Sequence, residues 1–536
     1  MIRRCVLQTA QSNVTKLTFR ASINSHVCLA SRKDFTSTHR RQILPNHHSF
    51  STSTMRKSPN AATDQSTVIQ TLLPDLLTSN GKGSTSRSPG VSEADIRQVC
   101  SHYLKLDKPS RLDFVVSLAQ LCGVHHESVL TAAKNLSNMM EKGPALLLLS
   151  EQRLSQSLTP GYGLLFALIG RIEGGVKFLV DMRADVLSFL HQHQSATTDG
   201  LLRALNTTLK DMLAHWFSAG LLQLQTITWQ SSCEMLQKIS EYEAVHPVRD
   251  WADLKRRVGL YRRCFVYTHS SMPEEPVVVL HTALTDHIPA SIQSIVGERK
   301  DPSTSTHPLA MEEPENPAHI KAAIFYSISS TQKGLRGVDL GNYLIKRAVR
   351  TLQADFPQLQ VFSSLSPIPG FRSWLLAEIG RHPEDGIGAT LFTPTELSKI
   401  SSLSGRDGES ELATVRRLLS SNQWVKSEKI VEALETPLMR LCARYLYSEK
   451  HRGYALDSVA NFHLRNGAVM WRLNWLGDTS ARGLTASCSM MVNYRYFLDS
   501  TEGNSQTYSE TQRINASEQV LSLVQESKVL ECKSSL

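Results

Sequence analysis

Three places in this sequence could do chemistry. The first is Ser366, which ends the apolar run Gln360-Val361-Phe362-Ser363-Ser364-Leu365 and is followed by Pro367-Ile368-Pro369-Gly370. Two prolines fix the backbone after it and would hold its hydroxyl in one direction. No G-x-S-x-G surrounds it, so the strained turn of a serine hydrolase is not expected. The second is His463, in Asn461-Phe462-His463-Leu464-Arg465-Asn466-Gly467. An unperturbed imidazole titrates near about 6.5 and could serve as a general acid near neutrality. By type alone, each also has an ordinary reading, as a turn serine and as a surface or core histidine.

The third is the stretch Gln332-Lys333-Gly334-Leu335-Arg336-Gly337-Val338-Asp339-Leu340-Gly341-Asn342. Its glycines let backbone approach a ligand closely, and a helix start after it would offer unpaired N–H groups to an anion. Lys333 and Arg336 add full charges suited to phosphate. The spacing is neither G-x-G-x-x-G nor a Walker A loop. A pyrophosphate such as that of coenzyme A fits better than a dinucleotide or nucleoside triphosphate. A tight turn whose glycines serve geometry only is the competing reading. No H-E-x-x-H and no Cys/His cluster occurs, so neither a metal nor an organic cofactor is expected.

The elements around these residues suggest how they are positioned. Ala323-Ile324-Phe325-Tyr326-Ser327-Ile328 reads as a buried strand, and the glycine loop follows it. A helix with Leu340, Leu344, Ile345, Val349 and Leu352 on one face comes next, and Pro357 closes it. The Val361 run is then a second strand. This is a βαβ unit with parallel strands, and Ser366 stands at the C-terminal end of one of them, where such sheets bind ligands. Cys264–Tyr267 and Val277–Leu280 are further strands, helices are predicted at 371–381, 410–421 and 428–447, and strand-like runs at 468–476 and 486–498.

Earlier in the chain the pattern is helical. Leu112, Val115, Val116, Ala119 and Cys122, then Val129, Ala132, Ala133 and Leu136, then Leu202, Leu205, Leu209, Met212, Leu213 and Trp216 recur at helical spacing. No strand signal is read from about 93 to 255. The expected layout is a transit peptide at 1–55, a disordered linker at 56–92, an all-α domain at 93–255, an α/β catalytic domain at 256–498 and a polar tail at 499–536.

The charge is unevenly spread. Residues 1–55 hold eight basic residues and one acid, together with 15 Ser or Thr. Removing them from 58 basic and 49 acidic residues leaves 50 against 48, so the net +9 falls to +2. A nucleic-acid footprint is therefore not expected. The Arg-rich, Ser-rich, acid-poor start is instead the composition of an organellar, above all mitochondrial, transit peptide. Met55 would be a second start without it. The chain ends Ser534-Ser535-Leu536, an altered form of the Ser-Lys-Leu address that a peroxisomal import receptor reads. No run approaches 18 apolar residues, so no membrane span is expected. Nine cysteines at wide spacing are neither a disulfide framework nor a zinc ribbon.

Several of these segments together resemble one family. His246-Pro247-Val248-Arg249, Lys255-Arg256-Arg257-Val258-Gly259 with Tyr261-Arg262-Arg263-Cys264, the Gly341 loop, Phe362 to Phe371 and Asn461 to Ala468 are similar to malonyl-CoA decarboxylase. The likeness runs from about 93 to 498. It implies an N-terminal helical oligomerisation domain, then a GNAT-like α/β domain with a mixed sheet, and a homotetramer. It also implies loss of CO2 from malonyl-CoA to give acetyl-CoA, and through that the control of malonyl-CoA levels and fatty acid metabolism.

The family's catalytic serine and histidine match Ser366 and His463. Its substrate-binding residues match Arg336, Gly337, Val338, Asp339, Leu340, Gly341 and Asn342 together with that pair. The loop Gly-Val-Asp-Leu-Gly is two residues longer than the Gly-x-Gly usual among GNAT enzymes. In this reading Ser366 holds the departing carboxylate and His463 protonates the enolate carbon. A GNAT-type N-acyltransferase and a non-catalytic acyl-CoA sensor are the competing functions.

Overall fold

Ser92 and Asp95 set the first long helix by a reciprocal cap: the Ser92 side chain accepts the Asp95 N–H, and the Asp95 carboxylate takes the Ser92 N–H at 3.0 Å. The computed structural model describes residues 65–73, 91–139, 142–192, 196–297, 314–338, 340, 343–381 and 391–534. The transit peptide read at 1–55, most of 56–92, Asp339, Gly341, Asn342 and the final Ser535-Leu536 lie outside them. The described residues divide into two units, one of 65–215 with Lys333–Val338, the other of 216–332 and the chain from 340 on.

The first unit is helical: α1 (Gln65–Leu72), α2 (Glu93–Lys105), α3 (Lys108–Leu121), α4 (His126–Met139), α5 (Pro144–Ser157), α6 (Gly161–Ile169), α7 (Gly175–Gln192) and α8 (Ala196–Trp216). Tyr103 is its hub, meeting Phe114 and Phe178 edge to face at 5.5 and 5.6 Å. Its hydroxyl donates to Asp185, which also takes Arg111. From α8, Leu202, Leu205, Leu209 and Leu213 are buried, one face of the helix. α1 corrects the reading of 56–92 as an unfolded linker. Ile69 and Leu73, one turn apart, are both buried, which is enough apolar surface to dock a two-turn helix.

The second unit is built on a mixed sheet of order β1-β2-β3-β4-β5-β10-β6, with β9 paired to β10. The strands are β1 (Leu222–Ile227), β2 (Arg262–His269), β3 (Val278–Thr285), β4 (Ala322–Ser330), β5 (Val361–Ser364), β6 (Ser366–Pro367), β9 (Val469–Asn474) and β10 (Met491–Tyr496). β1 to β4 form an antiparallel meander, and β4 runs parallel to β5. β1 departs from the strand-free reading of 93–255. Leu-Gln-Leu-Gln-Thr-Ile alternates with period two, the signature of an edge strand with one buried face, and it pairs with β2 from Leu222↔His269 to Ile227↔Cys264. α9 (Cys233–Tyr242) and α10 (Trp251–Arg257) cover it, contributing Met235, Leu236, Ile239 and Leu254 to a core with Ile227 and Val266.

The remaining helices are α11 (Gln293–Val296), α12 (Tyr343–Asp355) in the β4–β5 crossover, α13 (Phe371–Arg381), α14 (Pro394–Ser404), α15 (Glu411–Ser420), α16 (Glu428–Tyr447), α17 (Ser458–Arg465), α18 (Ala481–Ser487), α19 (Thr501–Thr511) and α20 (Glu518–Ser534). A two-residue hairpin, β7 (Lys450–His451) with β8 (Tyr454–Ala455), precedes α17. α19 and α20 correct the reading of 499–536 as a polar tail. Tyr508, Ile514, Val520 and Val524 are buried in the main core, and Ser517 N–H donates to Met470 O at 2.9 Å. A polar composition concealed a one-sided apolar stripe.

Candidate active site

β5, Leu365 and β6 follow one register along β10: Phe362↔Tyr496, Ser363↔Arg495, Ser366↔Val492 and Pro367↔Met491. Ser364 and Ser366, two residues apart, share a face, as do Tyr494 and Tyr496 on β10. Beyond Ser366 the chain turns at Gly370. A Cβ there would lie 2.2 Å from the Tyr445 hydroxyl of α16, so the turn requires glycine. The next helix start that matters is Asp457. Its carboxylate caps α17 by accepting the N–H groups of Val459 and Ala460 at 3.0 and 2.9 Å, and it takes the Tyr445 hydroxyl at 3.3 Å. Two turns on, α17 delivers His463.

The structure brings Ser366 and His463 into direct contact: Oγ to Nε2 is 2.8 Å, and the residues are 4% and 3% exposed. Ser364 Oγ lies 2.8 Å from Ser366 Oγ on its other side and accepts the Tyr494 N–H at 3.3 Å. The second imidazole nitrogen, Nδ1, is 2.7 Å from the Tyr496 hydroxyl. The ring of Tyr494 stacks on His463 at 4.5 Å and 17°, and Phe325 meets Tyr496 edge to face at 6.3 Å. A backbone brace lies beneath: Asn493 Nδ2 donates to Ser364 O at 2.9 Å, and Asn474 Nδ2 to Asn493 Oδ1 at 2.8 Å.

These contacts select a tautomer. Among the described residues the Tyr496 hydroxyl bonds only Nδ1, so its proton has that nitrogen as acceptor. Nε2 then carries the hydrogen and donates to Ser366 Oγ. The hydroxyl hydrogen of Ser366 is left for Ser364 Oγ or for a ligand.

Burial sets the electrostatics of His463 apart from those of a free imidazole. Burial pulls its pKa down to about 3, so the ring is neutral at physiological pH and holds no proton in reserve as an imidazolium. Burial likewise pushes the Tyr496 phenol up and the Asp457 carboxyl up to about 6. Among the described residues no group of three His, Cys, Asp or Glu could hold a metal.

Of the expected coenzyme residues, Arg336, Gly337 and Val338 belong to the helical unit and Leu340 to the sheet unit. Lys333–Leu335 form a 3-10 turn, and Gly337 has φ +74, in the left-handed region. A Cβ on Gly334 would lie 1.7 Å from Val180 O, so this glycine serves close packing. Sequence reasoning missed Tyr496, Ser364 and Asp457. The period-two pairs Ser364/Ser366 and Tyr494/Tyr496 were available as a signal, as was an Asp directly before the α17 apolar pattern.

Comparison with known proteins agrees with both halves of the chain. Residues 122–217 match the model of the malonyl-CoA decarboxylase N-terminal domain, and 220–533 that of the C-terminal domain. A mouse (Mus musculus) protein named malonyl-CoA decarboxylase, mitochondrial, is 50% identical over 441 residues, 82% of this chain and 87% of its own. The goose (Anser anser anser) protein of the same name is 49% identical over 442 residues, 82% and 84% of the two chains. Crystal structures of malonyl-CoA decarboxylase from Rhodopseudomonas palustris and Agrobacterium vitis superpose with TM-scores of 0.70 and 0.68. They are 29% and 30% identical and cover 85% of this chain and 98% and 99% of their own. With both of the family's domains matched in order, and half the residues shared with animal relatives over four-fifths of its length, this chain belongs to the malonyl-CoA decarboxylase family.

Proposed function

We propose that this protein converts malonyl-CoA to acetyl-CoA and CO2, and that the line Ser366–His463–Tyr496 supplies the proton the reaction consumes. The observation that carries this reading is the 2.8 Å contact between Ser366 and His463, side chains 97 residues apart. Cleavage of the carbon–carbon bond releases CO2 and leaves its electron pair in the thioester as an enolate. Donors help only if they hold that charge better than they hold the bound carboxylate. A neutral Ser366 hydroxyl orients the carboxylate without the ground-state grip of a bidentate guanidinium.

After CO2 departs, the enolate carbon takes the Ser366 proton. Nε2–H refills Ser366, Tyr496 refills Nδ1, and solvent refills Tyr496. The imidazole is neutral at both ends of the transfer, which moves its hydrogen from Nε2 to Nδ1 and suits a ring whose burial disfavours charge; proton exchange must restore the Nε2–H tautomer before the next turnover. A thioester enolate is a far stronger base than a phenolate, so the relay runs downhill although burial disfavours the tyrosinate.

The test is pure protein with malonyl-CoA alone, following CO2 and acetyl-CoA. Release without an amine supports decarboxylation. Release that requires an amine acceptor, or binding without turnover, overturns it.

The same reading gives Arg336 to Asn342 to the coenzyme and a GNAT-like identity to the sheet unit. The support is the loop's glycines and basic residues, and a mixed sheet in which Ser366 follows two parallel strands. The mouse and goose relatives are named mitochondrial, and the first 55 residues have transit composition, so the mitochondrial matrix is the main compartment. The Ser-Ser-Leu end and the Met55 start would send further shares to peroxisomes and cytosol, which separate tagging of each terminus reads out. Assembly as a homotetramer is read by sedimentation.

A further inference from the structure

Arg183 of α7 is 2% exposed, yet no carboxylate lies within ion-pairing distance of it among the described residues. Its guanidinium is spent on main chain. Nη1 donates to the carbonyl of Gly334, Nη2 donates to the carbonyl of Arg336 at 2.9 Å, and Nε donates to Asn206 Oδ1 of α8 at 3.1 Å. Burial lowers its pKa to about 10, opposed by the Asp211 carboxylate, so it stays protonated at neutral pH. A buried cation with no carboxylate in direct contact is costly to keep. Here it does two things: it ties down two consecutive carbonyl-bearing corners of one loop, and it adds positive potential beside Lys333 and Arg336.

We propose that Arg183 is a positioning residue for the coenzyme: clamped on the carbonyls of Gly334 and Arg336, it fixes the loop in the conformation that receives the nucleotide phosphates of the CoA thioester. This inference rests on the assignment of the loop to coenzyme A made above. The tight seat of Gly334 against Val180 acts in the same direction, because the loop has no room to slide along α7.

The test compares two substrates on the full-length protein. Malonyl-CoA carries the nucleotide phosphates, and malonyl-N-acetylcysteamine keeps the reacting thioester and lacks them. Arg183→Met is expected to raise KM for malonyl-CoA by about tenfold or more, as loss of paired charge-assisted bonds implies, with kcat changed less than about threefold. The kcat/KM for the short thioester should fall by less than about threefold. Arg183→Lys, which keeps the charge and one donor direction, should recover part of the loss. Asn206→Ala should move KM the same way by a smaller factor.

An equal loss on both thioesters, or an unchanged KM for malonyl-CoA, overturns the proposal. If Arg183→Met does not fold, Arg183→Lys and Asn206→Ala decide it by the same two-substrate ratio. If the wild-type protein releases no CO2 from either thioester, the decarboxylase reading is what fails. Calorimetric titration of free coenzyme A into wild type and variants then still judges the clamp, which requires weaker binding in the variants.

Discussion

Tyr496→Phe isolates the outer end of the proton line. The substitution keeps the ring, hence its edge contact with Phe325 at 6.3 Å, and removes only the hydroxyl that lies 2.7 Å from His463 Nδ1. Nδ1 is then a buried polar atom without a partner, a penalty of about 1–3 kcal/mol. The ring can also adopt the other tautomer, in which Nε2 accepts from Ser366 and competes with the substrate for the hydroxyl proton. If the whole penalty falls on the transition state, kcat drops by about 5- to 150-fold at about 1.36 kcal/mol per decade. KM for malonyl-CoA should stay within about threefold, because Tyr496 acts through the imidazole. The assay is steady-state CO2 release on the single variants and on Tyr496→Phe/His463→Asn. Since Tyr496 works only through His463, the double variant should be no slower than His463→Asn. Wild-type kcat in Tyr496→Phe, or multiplicative losses in the double variant, would refute the reasoning.

Other expectations follow from the same geometry. His463→Asn should lower turnover by about 10²–10⁴ and leave malonyl-CoA affinity within a few-fold, and Ser366→Ala should fall in the same range; binding by calorimetry and CO2 release check both. Because burial holds His463 near a pKa of about 3, kcat should show no histidine limb between pH 5.5 and 8, and a limb near 6.5 that disappears in His463→Asn would count against a neutral ring. The Asp457 carboxyl, raised to about 6, binds its proton more tightly in the fold than in the unfolded chain. Its stabilising contribution is therefore present below about pH 4 and lost as pH rises through 6, about 3 kcal/mol in all. Asp457→Asn should remove that slope, seen as a denaturation midpoint that gains on wild type from pH 4 to 7; parallel curves would contradict it. Gly370→Ala should cost about 1–3 kcal/mol by driving a methyl into the Tyr445 hydroxyl, measured by thermal unfolding.

What could be read before folding, and what could not, divides along physical lines. Long amphipathic segments declared themselves, so α13 and α16 appear at 371–381 and 428–447 as their periodicity predicts. The parallel pairing of β4 with β5 follows from a strand, a helix and a strand in succession. Short elements were hidden. β1 is six residues of alternating pattern inside a helical stretch, and α1 is eight residues in a polar segment; α20, at 17 residues, was hidden instead by the polar composition around its apolar positions. At the site, residue types and a resemblance singled out Ser366 and His463. Neither route singled out the tautomer-setting Tyr496: the period-two pair Tyr494/Tyr496 was a signal, and its meaning depends on β10 lying beside β5. The lowered pKa of His463 was out of reach for a related reason: burial is a property of neighbours, and an isolated imidazole carries no trace of it.

Tyr445 sits between the turn after Ser366 and the cap of the helix bearing His463, touching Gly370 on one side and Asp457 on the other. It works as a spacer block between two jaws. Enlarging or trimming that block alters the gap at the jaws without any change to the jaws themselves. Evolution, or an engineer adjusting this enzyme for a bulkier acyl group, therefore has a lever remote from the reacting atoms, and compensating changes for a damaged pair should accumulate at 370, 445 and 457.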